Sequence, residues 1–551
     1  MSATPAGRFR RELSLLDLTM ASLGGIIGSG WLFAAQLSAN MAGPSALLAW
    51  LIGGVAVILI GLCYAELGSM IPEAGGIARY PQYTHTTMVS YLMAWAAYLA
   101  YVTVPAIEAT AAVQYLAKVP GQGGWIPGIF VNGLLTGWGF LLGAVLLVIF
   151  ILINSVGVRA FKTVNTPLTI WKFVIPALTI IVLLVSAHPG PTPKAAASFM
   201  PFGISGVFSA VASSGIIFAY LGFRQAVDLA GEAKNPARDV PRAVIFAILI
   251  GAVVYFFLQL AFLHAVPAKD LAKGWSSIQF SAPFANLATV ANLTWLAFLL
   301  HIDGVLSPSG TGLVYTSTTA RVTYAMSRNQ YFPRVFGRLS QRSGVPAAAL
   351  LMGFILGMLF MLPFPSWQKM VGFVSSATVL TYIVGPVAVM VLRRDAPNLP
   401  RPTRIGGLPI IAPIAFAVAS LIIYWSGWST VAVVLGAALG GLIIYLIYFD
   451  LHVAEGTWNA SEIVRGLWLP AYLVVLAAVS ALGSFGGTGF LKSPYDELIV
   501  IVIALVAFYV GVRQGRVTRY LEEVQKEVAD LQSGRIAQGD VEPDTTSVGL
   551  P

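Results

Sequence analysis

The chain predicts an all-α polytopic membrane protein of fourteen spans, the first ten arranged as an inverted five-helix repeat. Three observations predict this. Of 551 residues, 57% are hydrophobic and only 10% charged, against about 25% charged in ordinary soluble domains. Apolar stretches of about 20 residues, each long enough for about 30 Å of hydrocarbon, recur over nearly the whole length. The first and sixth stretches each carry a Gly-Ile-Ile triplet, at 25–27 and 215–217. Both open a block of five spans, and because five is odd the two run in opposite directions, the pattern of inverted-topology repeats.

The elements follow in order. Residues 1–14 are a basic N-terminus. Spans at 15–40, 44–70, 87–117, 136–157, 164–186, 203–231, 243–266, 286–325, 346–363 and 372–392 make a ten-helix core, 15–392. A basic linker, 393–408, leads to four more spans within 409–512, at 409–427, 429–449, 467–485 and 498–512. The tail, 513–551, opens with an amphipathic helix from Tyr520 to Leu531 that places Leu521, Val524, Val528 and Leu531 on one face. It then turns polar, and 532–551 is expected to be disordered. The first segment is long and lacks a small-residue cleavage site, so it is not expected to be a cleaved signal peptide. Cys63, the single cysteine, excludes a disulfide within the chain.

The net charge of +9 is a topology signal. Only Lys118, Lys194, Lys269, Lys273, Lys369 and Lys492 fall in external loops when the N-terminus is placed inside; nearly all other Lys and Arg are then cytoplasmic. This predicts a multi-pass protein of the cell membrane with both termini in the cytoplasm. The basic excess implies contact with anionic lipid, not with nucleic acid.

The chemistry concentrates at Gly24-Gly25-Ile26-Ile27-Gly28-Ser29-Gly30. Each glycine costs about 1 kcal/mol relative to alanine in a helix interior. Broken backbone is tolerated in hydrocarbon only where it is buried in protein or lines a cavity. Freed N–H groups bind a carboxylate and freed carbonyls an ammonium, so the pair suits a zwitterion. Ile26, Ile27, Gly28, Ser29 and Gly30 are candidate substrate-binding residues, with Phe218, Ala219, Tyr220 and Gly222 of the sixth span as the other wall and Tyr220 or a neighbouring aromatic as a gate. The alternative is that these glycines only allow close helix packing. Discontinuous helices around a midplane site are the architecture of a secondary transporter.

Lys172, Glu108 and Asp303 are ionisable groups deep in spans and so candidates for proton coupling. A lysine that can lose and regain a proton is a coupling device; the alternative for Lys172 is snorkelling to the interface. Glu66 lies near the cytoplasmic end, where it would anchor a loop, and His301 is read as structural. Arg224 follows the second break. It would fork onto a side-chain carboxylate of an acidic substrate or pair with Asp228 at i+4. The sequence has no Walker loop, HExxH, Cys/His metal cluster or dinucleotide fingerprint. We therefore expect no enzyme activity, no metal and no cofactor beyond the coupling proton.

With these residues in view, the chain resembles the amino acid–polyamine–organocation superfamily of transporters. The matching motifs are the glycine run at 24–30, Tyr64-Ala65-Glu66-Leu67 with Pro72 and Gly75-Gly76, the segment 218–223, Gly231-Glu232 with Asn235-Pro236 and Pro241, and the run 321–328. Within it the chain is most similar to bacterial aspartate–proton symporters, through 29–34, Gly76-Ile77 with Arg79-Tyr80-Pro81, Leu306-Ser307-Pro308, 362–367, 424–428 and 483–486. The resemblance implies a LeuT-like five-plus-five core with four extra C-terminal helices, and import of L-aspartate or a related amino acid with protons. It also implies that Lys172 stands where other members hold a sodium ion. Many members carry an acid where this chain has Arg224, a change that suits an anionic substrate. An exchanger of two amino acids is the main rival, followed by an amino-acid sensor signalling through its tail and, least, a channel.

Overall fold

The computed structural model describes residues 13–72, 76–118, 123–156, 158–188, 190–329, 331–340, 345–452 and 460–532. Gly75 of the glycine pair, residues 1–12 and the tail from 533 lie outside them. The helices in chain order are α1 (Leu15–Ile26), α2 (Gly30–Ala42), α3 (Ala46–Met70), α4 (Gly76–Thr84), α5 (Thr87–Leu116), α6 (Gly137–Val156), α7 (Val158–Ser186), α8 (Gly203–Ser213), α9 (Ile216–Tyr220), α10 (Arg224–Asp228), α11 (Pro236–Ala265), α12 (Pro283–Val290), α13 (Thr294–Arg328), α14 (Ala347–Met361), α15 (Trp367–Tyr382), α16 (Val384–Asp395), α17 (Leu408–Trp425), α18 (Trp428–His452), α19 (Ala460–Gly466), α20 (Trp468–Leu482), α21 (Tyr495–Gln514) and α22 (Arg519–Gln532). A two-stranded hairpin, β1 (Phe130–Val131) with β2 (Leu134–Leu135), turns at Asn132-Gly133, both at positive φ as such turns require.

The protein is an all-α polytopic membrane chain. Among the described residues nine helices are long and apolar enough to cross a membrane, ten if the bent pair at 203–228 is one span. Each of the fourteen sequence stretches holds helix, but several fail a test of length and apolarity for clear reasons. α1 has only 12 residues, and α14 and α20 have 15 each. α13 is the longest helix, 35 residues and roughly 52 Å at 1.5 Å per residue. Its buried positions include Asp303, Ser307, Thr311, Thr316, Thr319 and Thr323. The least apolar long helix is therefore an interior one.

Burial sorts the rest. The most apolar stretches of α5 and of α15–α16 are 94% buried within the protein, against 28% for α6 and 33% for α18. α6 shows Leu141, Val145 and Leu152, and α18 shows Ile443 and Ile447, to the outside, where hydrocarbon takes the place of water. α5 packs most extensively on α13, and α3 on α11. α1 starts with a capping box: Ser14 N–H donates to Asp17 Oδ2 (2.8 Å), and Asp17 N–H donates to Ser14 Oγ (3.3 Å).

Candidate functional site

Helix α1 stops at Ile26. Gly28 N–H donates to Ile26 O (3.1 Å) instead of continuing the i−4 ladder, and helix resumes at Gly30. In the sixth span α8 stops at Ser213, Gly215 turns to φ +99°, and α9 begins at Ile216, with a 45° bend between the halves. Only glycine adopts that φ without strain, and a Cβ there would lie 2.7 Å from the Trp367 ring.

The two breaks touch. A Cβ on Gly222 would sit 2.2 Å from Ile26 N and 2.5 Å from Ser22 O; one on Gly30 would sit 3.2 Å from Ala219 Cβ. Ser22 Oγ accepts the N–H of Ala226 (3.1 Å). Close packing thus accounts for Gly222 and Gly30. Gly28 differs, because a Cβ there would be 2.7 Å from both Glu108 Oε1 and Thr311 Oγ1. Its bare face is where two polar side chains meet the break.

Glu108, on α5 and fully buried, accepts the freed N–H of Ser29 through Oε2 (2.9 Å), while Oε1 makes no hydrogen bond. A carboxylate of the protein therefore occupies a backbone donor that the sequence assigned to a substrate carboxylate. Lys172, on α7 and 1% exposed, donates to Gly24 O (2.9 Å) and to Thr311 Oγ1 (2.7 Å). Its ammonium points to the end of α1, so it does not snorkel. Thr311 Oγ1 also lies 3.1 Å from Gly24 O and 3.4 Å from Ile27 O. Ile26 O accepts the Tyr255 hydroxyl (2.7 Å), and Phe218 O accepts Leu221 N–H. The carbonyls expected to receive an ammonium are thus already engaged.

The aromatic neighbours of the break are Phe218, Phe33 and Trp367. The Trp367 indole N–H donates to Ser29 Oγ (2.6 Å), Phe33 stacks on its ring at 4.9 Å, and Phe218 meets it edge-on at 5.9 Å. Tyr220 turns instead toward α3, donating to Trp50 O (3.3 Å) and meeting the Trp50 and Tyr255 rings edge-on.

Asp303 is two turns before Thr311 on α13. It accepts Ser307 Oγ through Oδ1 (2.7 Å), and its Oδ2 makes no hydrogen bond. The indole N–H groups of Trp31 and Trp171 are its neighbours. His301 bonds the carbonyl of Ala297 through Nδ1 (2.8 Å), within its own helix. Glu66 takes a two-pronged bond from Arg393 (2.7 and 2.6 Å) and the N–H of Ile405 (2.8 Å), tying the linker to α3.

Arg224 is fully buried, and none of its three nitrogens makes a hydrogen bond. Its guanidinium lies 3.8 Å from the ring centre of Tyr101 and 4.9 Å from that of Tyr315. Each such desolvated contact contributes on the order of 2 kcal/mol. Asp228 accepts the hydroxyl of Tyr101 and forms no ion pair with Arg224, so the expected i+4 pair is not made.

Sequence reasoning missed Thr311, Trp367, Tyr255, Tyr101 and Tyr315. A signal existed for the first: Asp303, Ser307 and Thr311 recur at four-residue spacing, one polar face of a helix. Nothing local marked the aromatics.

Comparison with known proteins identifies the family. Residues 13–451 match the amino acid permease family. The chain is 40% identical over 533 residues to the glutamate/serine transporter AimA of Bacillus subtilis (strain 168), covering 96% of this chain and 98% of that protein. It is 38% identical over 510 residues to the aspartate-proton symporter of the same organism, covering 91% and 96%. It is 28% identical over 454 residues to the branched-chain amino acid permease BcaP, also of that organism, covering 80% and 94%. Helices interrupted face to face in an apolar bundle, and similarity along nearly the full length, place this chain in the amino acid permease family.

Proposed function

We propose that this protein is a proton-coupled symporter that imports L-aspartate or a related amino acid by alternating access. One observation carries the coupling: the buried Lys172 ammonium bonds Gly24 O and Thr311 at the end of the broken α1. A cation held there ties the protonation state of one side chain to the geometry of the substrate loop. Glu108, on the N–H of Ser29, is its electrostatic neighbour, and Asp303 is the next acid along α13. Substrate and proton bind best to one occluded state, and that differential affinity shifts the population between outward and inward forms.

In this reading the substrate α-carboxylate replaces Glu108 on the N–H of Ser29 and binds the N–H groups of Gly28 and Gly30 as well. Its ammonium takes carbonyls at Ile26, Ile27 and Phe218 as their present partners withdraw. Ala219 and Gly222 form the facing wall, and Phe218 with Trp367 covers the site. The coupling ion is a proton, with no other cofactor.

The pairing of α3 with α11 and of α5 with α13 supports a five-plus-five inverted repeat, because these are the second and seventh, and third and eighth, of fourteen spans. In this reading four further spans follow the basic linker and both termini lie in the cytoplasm, which the distribution of lysine and arginine supports. Acidic substrate is supported by the aspartate-proton symporter and the glutamate/serine transporter among the relatives.

The test is uptake of labelled L-aspartate into proteoliposomes in sodium-free buffer, with and without an inward proton gradient. Accumulation that collapses with a protonophore is the expected result. Equal uptake with and without the gradient would remove proton coupling, and counterflow without net uptake would mark an exchanger.

A further inference from the structure

Arg224 has a charge, full burial and no hydrogen-bond acceptor. Beside it the amide nitrogen of Gln225, itself buried, also lacks a partner. Every unsatisfied group of this pair is a donor. Tyr101 and Tyr315 stack on the guanidinium, and the Tyr382 hydroxyl is a third neighbour. The π faces of Tyr101 and Tyr315 stabilise the cation but offer its N–H edge no acceptor. The nearby carboxylate of Asp228 is held by the Tyr101 hydroxyl.

The cage is joined to the broken helices. Thr311, Tyr315 and Thr318 fall at i, i+4 and i+7 on α13, one face of the helix. Thr311 bonds Lys172, Tyr315 stacks on Arg224, and Thr318 donates to Gln225 Oε1 (3.5 Å). On α5, Glu108 and Tyr101 are seven residues apart on one face in the same way. A Cβ on Gly25 would lie 3.2 Å from Gln225 Cγ, so Gln225 packs against the end of α1. Four residues of helix rise about 6 Å. The cage therefore lies about one turn from Thr311 along α13 and about two turns from Glu108 along α5, on the same side of the break.

Resting on the amino-acid reading above, we infer that Arg224, with Gln225 beside it and Tyr101 and Tyr315 on its faces, is the subsite for the side-chain carboxylate of a dicarboxylic amino acid. With its faces covered, the guanidinium presents its planar N–H edge, and a planar carboxylate matches that edge with two parallel bonds. An amide of the same shape brings an NH₂ against donors and leaves one of them unpaired. The subsite thus selects aspartate over asparagine, and the tyrosines are positioning residues.

The test is the ratio of aspartate to asparagine uptake in proteoliposomes for the full chain and three variants. Arg224→Met is expected to lower the ratio roughly 100-fold, the scale of losing a buried charge partner. It keeps the volume, and replacing a buried charge by an apolar side chain is often tolerated. Arg224→Lys keeps the charge without the fork and is expected to lower the ratio roughly 10-fold, as is Gln225→Leu. A wild-type chain that takes up aspartate while all three variants keep its ratio overturns the subsite and leaves acidic transport standing. A wild-type chain that takes up serine or asparagine but neither aspartate nor glutamate overturns the acidic substrate and the subsite together. If Arg224→Met does not assemble, unchanged ratios in Arg224→Lys and Gln225→Leu overturn the subsite.

Discussion

At Gly222 the two broken helices approach so closely that an added methyl would overlap the backbone nitrogen of Ile26. Backbone cannot move aside as the end of a side chain can. Gly222→Ala is expected to lower stability by more than the ~1–3 kcal/mol typical of overpacking and to abolish uptake, read as a lower melting temperature in detergent and loss of flux. The mid-membrane charge predicts a different pattern. Lys172→Ala removes the donor to Gly24 O and Thr311; gradient-driven accumulation is expected to be lost, and unchanged accumulation would refute the role of Lys172. Thr311→Val keeps the shape but removes a hydroxyl that the ammonium uses. It is expected to destabilise by about 1–3 kcal/mol, the cost of an unsatisfied buried donor, measured by thermal melting.

Elements are held at their ends by polar anchors. Glu66, near the end of α3, joins α16 through Arg393 and the linker through Ile405 N–H, with Glu66 fully buried and the Arg393 side chain 13% exposed. Glu66→Ala leaves a mostly buried guanidinium and is expected to cost about 3–5 kcal/mol. Adding Arg393→Leu is expected to recover part of the loss, as faster proteolysis of the linker in the single variant than in the double would show. The eighth span teaches a related lesson. Its apolarity is weakened by buried polar side chains, among them Thr311, which faces Lys172.

For the whole molecule, the end that holds α4 is closed by segments distant in sequence. Arg516 N–H donates to Thr84 O (2.9 Å), Thr518 Oγ to Gln82 O (2.7 Å), and Asn329 Nδ2 to Gln82 Oε1 (3.0 Å). Leu521 of α22 is fully buried, and α22 packs on α4. The start of the tail is therefore part of the fold. Deleting 533–551 is expected to leave flux intact. Deleting from 515 is expected to lower stability and flux together, measured by melting and by uptake in the same preparations.

The sequence by itself determined the membrane class, the apolar stretches, the two breaks and the identity of Lys172, Glu108 and Asp303 as charges deep in spans. These are local properties: a run of apolar residues, glycine where helix should continue, an ionisable group among neighbours that exclude water. The tertiary structure decided which of them meet. Glu108 lies 79 positions from Ser29, Lys172 lies 139 from Thr311, and Trp367 lies 338 from Ser29. No local periodicity encodes such pairings, because they follow from how long helices pack side by side. The same packing turned Tyr220 away from the break, kept Asp228 from Arg224 and stacked tyrosines on that guanidinium. Those choices rest on the relative rotation of α5, α10 and α13, which only the assembled bundle sets.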